Sequence, residues 1–239
     1  MLLYLDCWKS KPTKQSCYSF DYNDSIISEN REFTLFFQKL GTKGVLLKNG
    51  TILRKIRRAD YQASYYEFPA AFFTFKERTY LIHCPIEYCR LDIEDAETGE
   101  ILSNKIERET VDVFYSGLLV SQDNKYLLSN GWMWHPVDCI NLFNLEKCMD
   151  DFKLLDDSVV IPTEHSVVNF GSFIDNNRVW VTEILFDGNE RFGVWEIDSN
   201  EMSSFLEVFG EYENIYTIED RKSLKSYEYS IIIDLLMPK

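Results

Sequence analysis

The stretch Ser121-Gln122-Asp123-Asn124-Lys125-Tyr126-Leu127-Leu128-Ser129 decides the fold. Its first half is a polar turn built on Asp and Asn, residues that tolerate the left-handed backbone a tight hairpin needs. Its second half is a short apolar strand signal. The same succession occurs upstream, where Lys76-Glu77-Arg78 leads into Tyr80-Leu81-Ile82-His83, and downstream, where Asp175-Asn176-Asn177 leads into Val179-Trp180-Val181-Thr182. The three strands start 46 and then 53 residues apart.

A second strand follows each of these at Arg90-Leu91-Asp92-Ile93, Leu142-Phe143-Asn144-Leu145 and Val194-Trp195-Glu196-Ile197. From Ile93 to Leu145 is 52 residues, and from Leu145 to Ile197 is again 52. A fixed period of this size marks a repeat architecture. A fourth copy lies upstream: Ser25-Ile26-Ile27-Ser28 takes the place of the first strand, and Asn49-Gly50-Thr51-Ile52-Leu53 matches Thr98-Gly99-Glu100-Ile101-Leu102, 49 residues later. Asn49-Gly50 is a strong signal for a two-residue hairpin turn, which is also the reading of the Asn49-Gly50-Thr51 sequon.

Four-stranded antiparallel units of this length bury their faces and shorten their free edges when arranged in a ring. The expectation is an all-β protein, a β-propeller-like ring of four-stranded antiparallel blades, five in number, in a single domain over 1–239. The repeats are placed at about 10–60, 61–110, 111–160 and 161–205, with 206–239 plus 1–8 forming the closing blade. Ile231-Ile232-Ile233 favours a strand in the last segment, although Leu224, Tyr227, Ile231 and Leu235 also fit a helical stripe.

The run Ser121–Ser129 resembles the S-P-D-G-x-x-L-x-S hairpin of bacterial propeller repeats and tryptophan-aspartate repeats, and Val194-Trp195-Glu196-Ile197 resembles their closing W-D strand. The resemblance covers about residues 71–200. It departs from the pattern in having no opening Gly-His dipeptide, and the W-D pair survives only as Trp195-Glu196 and Phe143-Asn144. It implies a propeller-like fold with binding as its commonest use, and it transfers no active site.

The chain of 239 residues carries 39 acidic and 25 basic side chains, a net charge of −14. Such a field repels phosphate backbones, so nucleic acid is disfavoured as a partner, while it suits a basic protein or simply solubility. Met1 to Cys7 is short and broken by Asp6, unlike a signal peptide, and no apolar run approaches the roughly 20 residues of a membrane span. A cytoplasmic monomer without a cofactor is expected. The six cysteines include no C-x-x-C pair and read as reduced, packed thiols.

The connection Asn130 to Asp138 is longer than its counterpart in the preceding repeat and holds Trp132, Trp134, His135 and Asp138. Extended, it puts both indoles on one face. They read either as binding anchors, with His135 and Asp138 beside them, or as wedges between blades. Other patterns carry less. His83 and Cys84 alternate to opposite faces of one strand, and Cys84-x4-Cys89 and His135-x3-Cys139 are not tight zinc spacings. Asp21 to Glu32 faintly matches a calcium loop but has Ile26 where the sharp turn needs Gly.

Ser166 beside His165, and Ser116 before Gly117, lack a nucleophile elbow. Asp112, Glu164, Asp187 and Glu190 read as solvated loop carboxylates. The basic cluster Arg54-Lys55-Ile56-Arg57-Arg58 reads as a solvated strand edge protected by its charges.

These features point to a non-enzymatic protein-binding module, in its sharper form an immunity or antitoxin-like protein that neutralises a basic toxin. The rival from another class is a propeller hydrolase or lactonase with carboxylates and a divalent cation in a central channel.

Overall fold

The computed structural model describes residues 22–134, 137–161, 166–185 and 190–208. Turn chemistry sets its strands. Asn49 and Gly50 take φ of +47° and +78°, the positive pair a primed hairpin turn requires. They close the first sheet, in which β1 (Asp24–Ile27), β2 (Phe33–Phe37), β3 (Lys43–Lys48) and β4 (Thr51–Arg57) follow one another in antiparallel order. Lys76 and Glu77, with φ of +48° and +63°, turn β5 (Ala70–Phe75) into β6 (Arg78–His83), which pairs with β7 (Asp92–Asp95). A single bridge from Glu94 to Ile101 stands where a fourth strand of this sheet would run.

In the third sheet the first strand is split into β8 (Val113–Phe114) and β9 (Leu118–Val120). Both pair with β10 (Tyr126–Met133), followed by β11 (Val137–Asn144) and β12 (Val159–Val160). Between β11 and β12 sits the short helix α1 (Leu145–Asp150), capped by the Asn144 side chain accepting from the Lys147 N–H at 3.0 Å. The fourth sheet is a plain meander of β13 (Ser166–Phe173), β14 (Arg178–Leu185), β15 (Glu190–Glu196) and β16 (Glu201–Val208). The described residues thus form an all-β protein of four antiparallel sheets in chain order. Of the closing blade expected from 206–239 with 1–8, residues 206–208 instead end β16 of the fourth sheet, and 1–8 and 209–239 lie outside the described residues.

The first of the repeated strands is in each case the second of its sheet: Tyr80–His83 in β6, Tyr126–Ser129 in β10 and Val179–Thr182 in β14. Ser25–Ser28 is therefore not their counterpart, since it falls on and just after β1, the first strand of its sheet. Phe33–Phe37 holds the equivalent place. β1 is a short edge strand whose half-buried and exposed residues alternate, without the continuous apolar run that a strand buried on both faces needs.

That double burial is visible residue by residue. In β6, Leu81 belongs to the core shared with the first sheet, while Tyr80 and Ile82 belong to the core shared with the third. In β10, Leu127 faces the second sheet and Tyr126 and Leu128 face the fourth, and in β11 Phe143 and Leu142 divide in the same way. A period of two thus distributes one strand between two cores. Trp195, fully buried, fills the last of these and donates from Nε1 to Asn200 Oδ1 at 3.1 Å.

Polar ties repeat along the same seams. Asn30 Nδ2 donates to Thr79 Oγ1, the Thr74 N–H to Asn124 Oδ1 and the Asp123 N–H to Asn176 Oδ1, pairs separated by 49, 50 and 53 residues. Each ties a turn of one sheet to the next. Asn130 does the same at the third seam, donating to Gly171 O at 3.0 Å and accepting from its N–H at 2.7 Å.

The basic cluster after the Asn49-Gly50 turn departs from the solvated edge expected of it. Lys55 and Arg57 are exposed, but Arg54 crosses to Glu94 of the second sheet, and Arg58 is only 4% exposed. Its guanidinium donates to four main-chain carbonyls, those of Gly41, Ala63, Tyr66 and Glu67, at 2.6 to 2.9 Å, and lies over the rings of Tyr66 and Phe68. Arginine can do this because its planar fork carries five donors. The four described cysteines, Cys84, Cys89, Cys139 and Cys148, are free and buried.

Candidate functional site

Asn130–Met133 and Val137–Asp138 are not loop but the paired ends of β10 and β11. Trp132 pairs with Asp138 across β10–β11, and on its other side with Phe114 of β8, so Phe114, Trp132 and Asp138 stand in one cross-strand row. Gly131 makes the approach of β8 possible, since a Cβ there would lie 2.5 Å from the Phe114 carbonyl oxygen.

Phe114 is fully buried and serves as the floor on which other rings are laid. Trp132 stacks on it at 4.0 Å with an interplanar angle of 5°, and Tyr88 at 4.4 Å and 23°. Trp134 meets Phe114 and Trp132 edge-on at 5.4 and 5.7 Å. Tyr61 closes the group at 5.0 Å from Tyr88 and 6.2 Å from Trp134. The edge-to-face contacts of Trp134 are arrangements that ring quadrupoles favour. The cluster is not sealed: Tyr61 is 46% and Trp134 41% exposed.

Carboxylates flank it. Tyr88 donates its hydroxyl to Asp112 at 2.5 Å, and that bond together with burial pushes the phenol up to about 12. Asp138, at the other end of the cross-strand row, has its pKa raised by partial desolvation. Asp60 and Glu87, next to Tyr61 and Tyr88 in the chain, are exposed. Exposed ring faces and edges bordered by carboxylates are suited to a cation, which gains from ring quadrupole and anion together.

Of the four residues expected here, the structure brings Trp132, Trp134 and Asp138 together, and His135 lies outside the described residues. Tyr61, Tyr88 and Phe114 were not legible as members. Tyr61 and Tyr88 come from the connections before β5 and β7 and Phe114 from the two-residue strand β8, and no spacing within one repeat announces that these meet.

The other candidates fall elsewhere. His83 and Cys84 do turn to opposite sides, His83 to Glu94 and Cys84 into the core between the second and third sheets. Ser116 is a structural ligand, its hydroxyl accepting from the Glu67 N–H at 3.1 Å. Asp21, Glu164, His165 and Asp187, and the side chains of Ser166 and Glu190, lie outside what is described. Among the described residues no cluster of three or more His, Cys, Asp or Glu side chains has the geometry to hold a metal.

No protein-family model matches the chain, and no curated protein matches it. Among solved structures it is similar to the dihydro-heme d1 dehydrogenase NirN in complex with DHE, a β-propeller, with a TM-score of 0.54 at 14% identity over 78% of this chain and 37% of that one. The likeness is one of fold. This chain spans little more than a third of the dehydrogenase. It is also similar to a eukaryotic initiation factor (TM-score 0.45, 10% identity, 80% of this chain and 46% of that one). A DUF4221 family member from Bacteroides vulgatus follows at TM-score 0.41 and 12% identity, over 79% and 67% of the two chains.

Proposed function

We propose that the chain forms a β-propeller-like ring of four-stranded blades and serves as a non-enzymatic module that binds a basic protein. Sheets tied one to the next at intervals of 49 to 53 residues support the ring, as does the fold likeness to NirN.

One observation carries the binding: the aromatic platform of Tyr61, Tyr88, Trp132 and Trp134 on the Phe114 floor, bordered by Asp112 and Asp138. Trp and Tyr at a surface give large contact area for little lost side-chain entropy, and arginine is their common partner in interface hot spots. The net charge of −14 would steer such a partner and speed its approach. In its sharper form the partner is a basic toxin that the module neutralises.

The test is a tryptophan-fluorescence titration with matched arginine-rich and glutamate-rich peptides. The arginine peptide should bind, with affinity falling as salt rises, and Trp134→Ala should lose it. Equal affinity for both peptides, or an unaffected Trp134 variant, would reject the reading.

A further inference from the structure

Phe114 covers one face of the Trp132 indole, at 4.0 Å and nearly parallel, and among the described residues no ring covers the other. Trp134 does not. Its centroid is 5.4 Å from Phe114 and 5.7 Å from Trp132, at 82° to both, so it stands against the edges of the stacked pair and not over either end. Tyr61 and Tyr88 have ring contacts with Phe114, at 6.0 and 4.4 Å, and none with Trp132. Trp132 is held by paired strands on both sides yet is only half-buried, so one indole face is presented in a fixed position.

The cross-strand row gives that face a neighbour. Phe114, Trp132 and Asp138 follow one another across β8, β10 and β11, so the indole face away from Phe114 is the one on the Asp138 side. Directly opposed residues bring their Cβ atoms to about 4.5–5.5 Å, near enough for one flat group to touch ring and carboxylate together. Asp138 reaches solvent, but the surrounding protein strips part of its water, and no hydrogen bond or charge from a described residue offsets this. A carboxylate that loses hydration without a partner is destabilised, and a cation beside it relieves the cost. Asp112 differs, because one of its oxygens already accepts from the Tyr88 hydroxyl.

Building on the reading of this platform as the contact for a basic protein, we infer that the free Trp132 face and the Asp138 carboxylate form a subsite for one arginine side chain of that partner, selecting arginine over lysine. A guanidinium is planar, stacks on an indole and offers a carboxylate two parallel N–H donors. An ammonium is a compact, strongly hydrated point charge that matches neither the flat face nor the pair of oxygens. Trp132 therefore uses both faces, one for packing on Phe114 and one for recognition.

The experiment is fluorescence titration of the full chain with two peptides alike in length and charge, one carrying arginine and the other lysine, together with NMR of the bound arginine peptide. The arginine peptide should bind at least about tenfold more tightly than the lysine peptide. Asp138→Asn should weaken arginine binding about tenfold and shrink the preference over lysine. Glu146→Gln removes the same charge from an exposed position on α1 and should leave both affinities nearly unchanged. The arginine δ-methylene protons should move upfield on binding, as protons held over an aromatic face do. Equal affinity for the two peptides, with both bound, would overturn the subsite and leave the basic-partner reading standing, whereas binding of neither would overturn both. Indifference to Asp138→Asn, an equal loss in Glu146→Gln, or unmoved arginine protons would each overturn the subsite alone.

Discussion

The guanidinium of Arg108 closes on the carboxylate of Asp156 through two parallel hydrogen bonds, Nε to Oδ2 at 2.6 Å and Nη2 to Oδ1 at 2.9 Å, across 48 residues of chain. Both side chains are buried. The third nitrogen, Nη1, donates to Leu91 O at 2.9 Å and reaches Asp92 Oδ1 at 3.3 Å, and Asp92 also accepts from Ser103 at 2.7 Å. The pair therefore fastens the segment after α1 to the second sheet.

Truncating one partner of such a pair strands the other charge without water. Asp156→Ala should destabilise the protein by about 3–5 kcal/mol, read as a shift of the urea midpoint. The double variant Arg108→Met with Asp156→Leu should recover part of that loss, because the stranded guanidinium is gone and the buried Asp92 keeps Arg90 and Ser103 as partners. A double variant no more stable than Asp156→Ala would mean that the fork orients this segment in a way apolar packing cannot replace.

Glu94 sets a stability limit on the acid side. Burial alone would raise its pKa, but the His83 and Arg54 hydrogen bonds and the charges behind them outweigh burial and hold the carboxyl below its usual range. A group whose pKa is lower in the folded state stabilises the fold fully above the unfolded value, about 4.3 for Glu. That contribution declines as pH falls through the interval between the two values and is gone below the folded one. Unfolding free energy from urea titrations should drop across this interval. The drop should shrink in Glu94→Gln, measured against the same variant at neutral pH.

Arg58 offers a sharper substitution test because its neighbours are carbonyls and rings. Burial lowers its pKa, and its guanidinium donates to four main-chain carbonyls at once. Arg58→Ala should cost about 3 kcal/mol or more, the sum of several unpaired buried acceptors and lost packing. Arg58→Lys should rescue little, since one ammonium has three donors and cannot span the carbonyls of Gly41 and Glu67 together. Full rescue by lysine in chemical denaturation would refute the account.

What was legible follows from what repeats. The pairs β6–β7, β10–β11 and β14–β15 carry their apolar runs and turn residues in each copy, so a period of about 52 found them. The Asn49-Gly50 turn declared itself through the dihedrals only such a dipeptide adopts readily. The first strand of the third sheet did not. Gly117, with φ of +50°, breaks it into β8 and β9, and two residues of strand give no periodicity to read. Arg58 was missed for a related reason: four basic residues within five positions conceal which one turns inward, and its partners are carbonyls that no side-chain pattern encodes. The aromatic site was half legible, because Trp132 and Trp134 are close in sequence, while Phe114 reaches it through the pairing of β8 with β10 and Tyr61 and Tyr88 come from connections before β5 and β7.

The two indoles divide the roles that the sequence left open between them, and this gives the last prediction. Trp132 is half-buried and lies flat on Phe114 at 4.0 Å, between strands that pair with it on both sides. Trp132→Ala should therefore remove packing and cost about 2–3 kcal/mol of stability, less than the 3–5 of a fully enclosed large aromatic. Trp134 stands in the turn and is 41% exposed, so Trp134→Ala should cost under about 1 kcal/mol of stability. It should nonetheless weaken binding of an arginine-rich peptide by about 2 kcal/mol or more, as loss of an aromatic anchor does. Asp138 supplies the pH arm. Partial desolvation raises its pKa, so its carboxylate neutralises at a higher pH than an ordinary aspartate near 3.9. Peptide affinity should fall as pH drops through that raised value, and Asp138→Asn should remove this part of the pH dependence while binding more weakly at neutral pH. If instead Trp134→Ala lowers the melting temperature as far as Trp132→Ala and leaves peptide affinity unchanged, both rings are wedges between sheets, and the partner surface lies elsewhere on the acidic exterior.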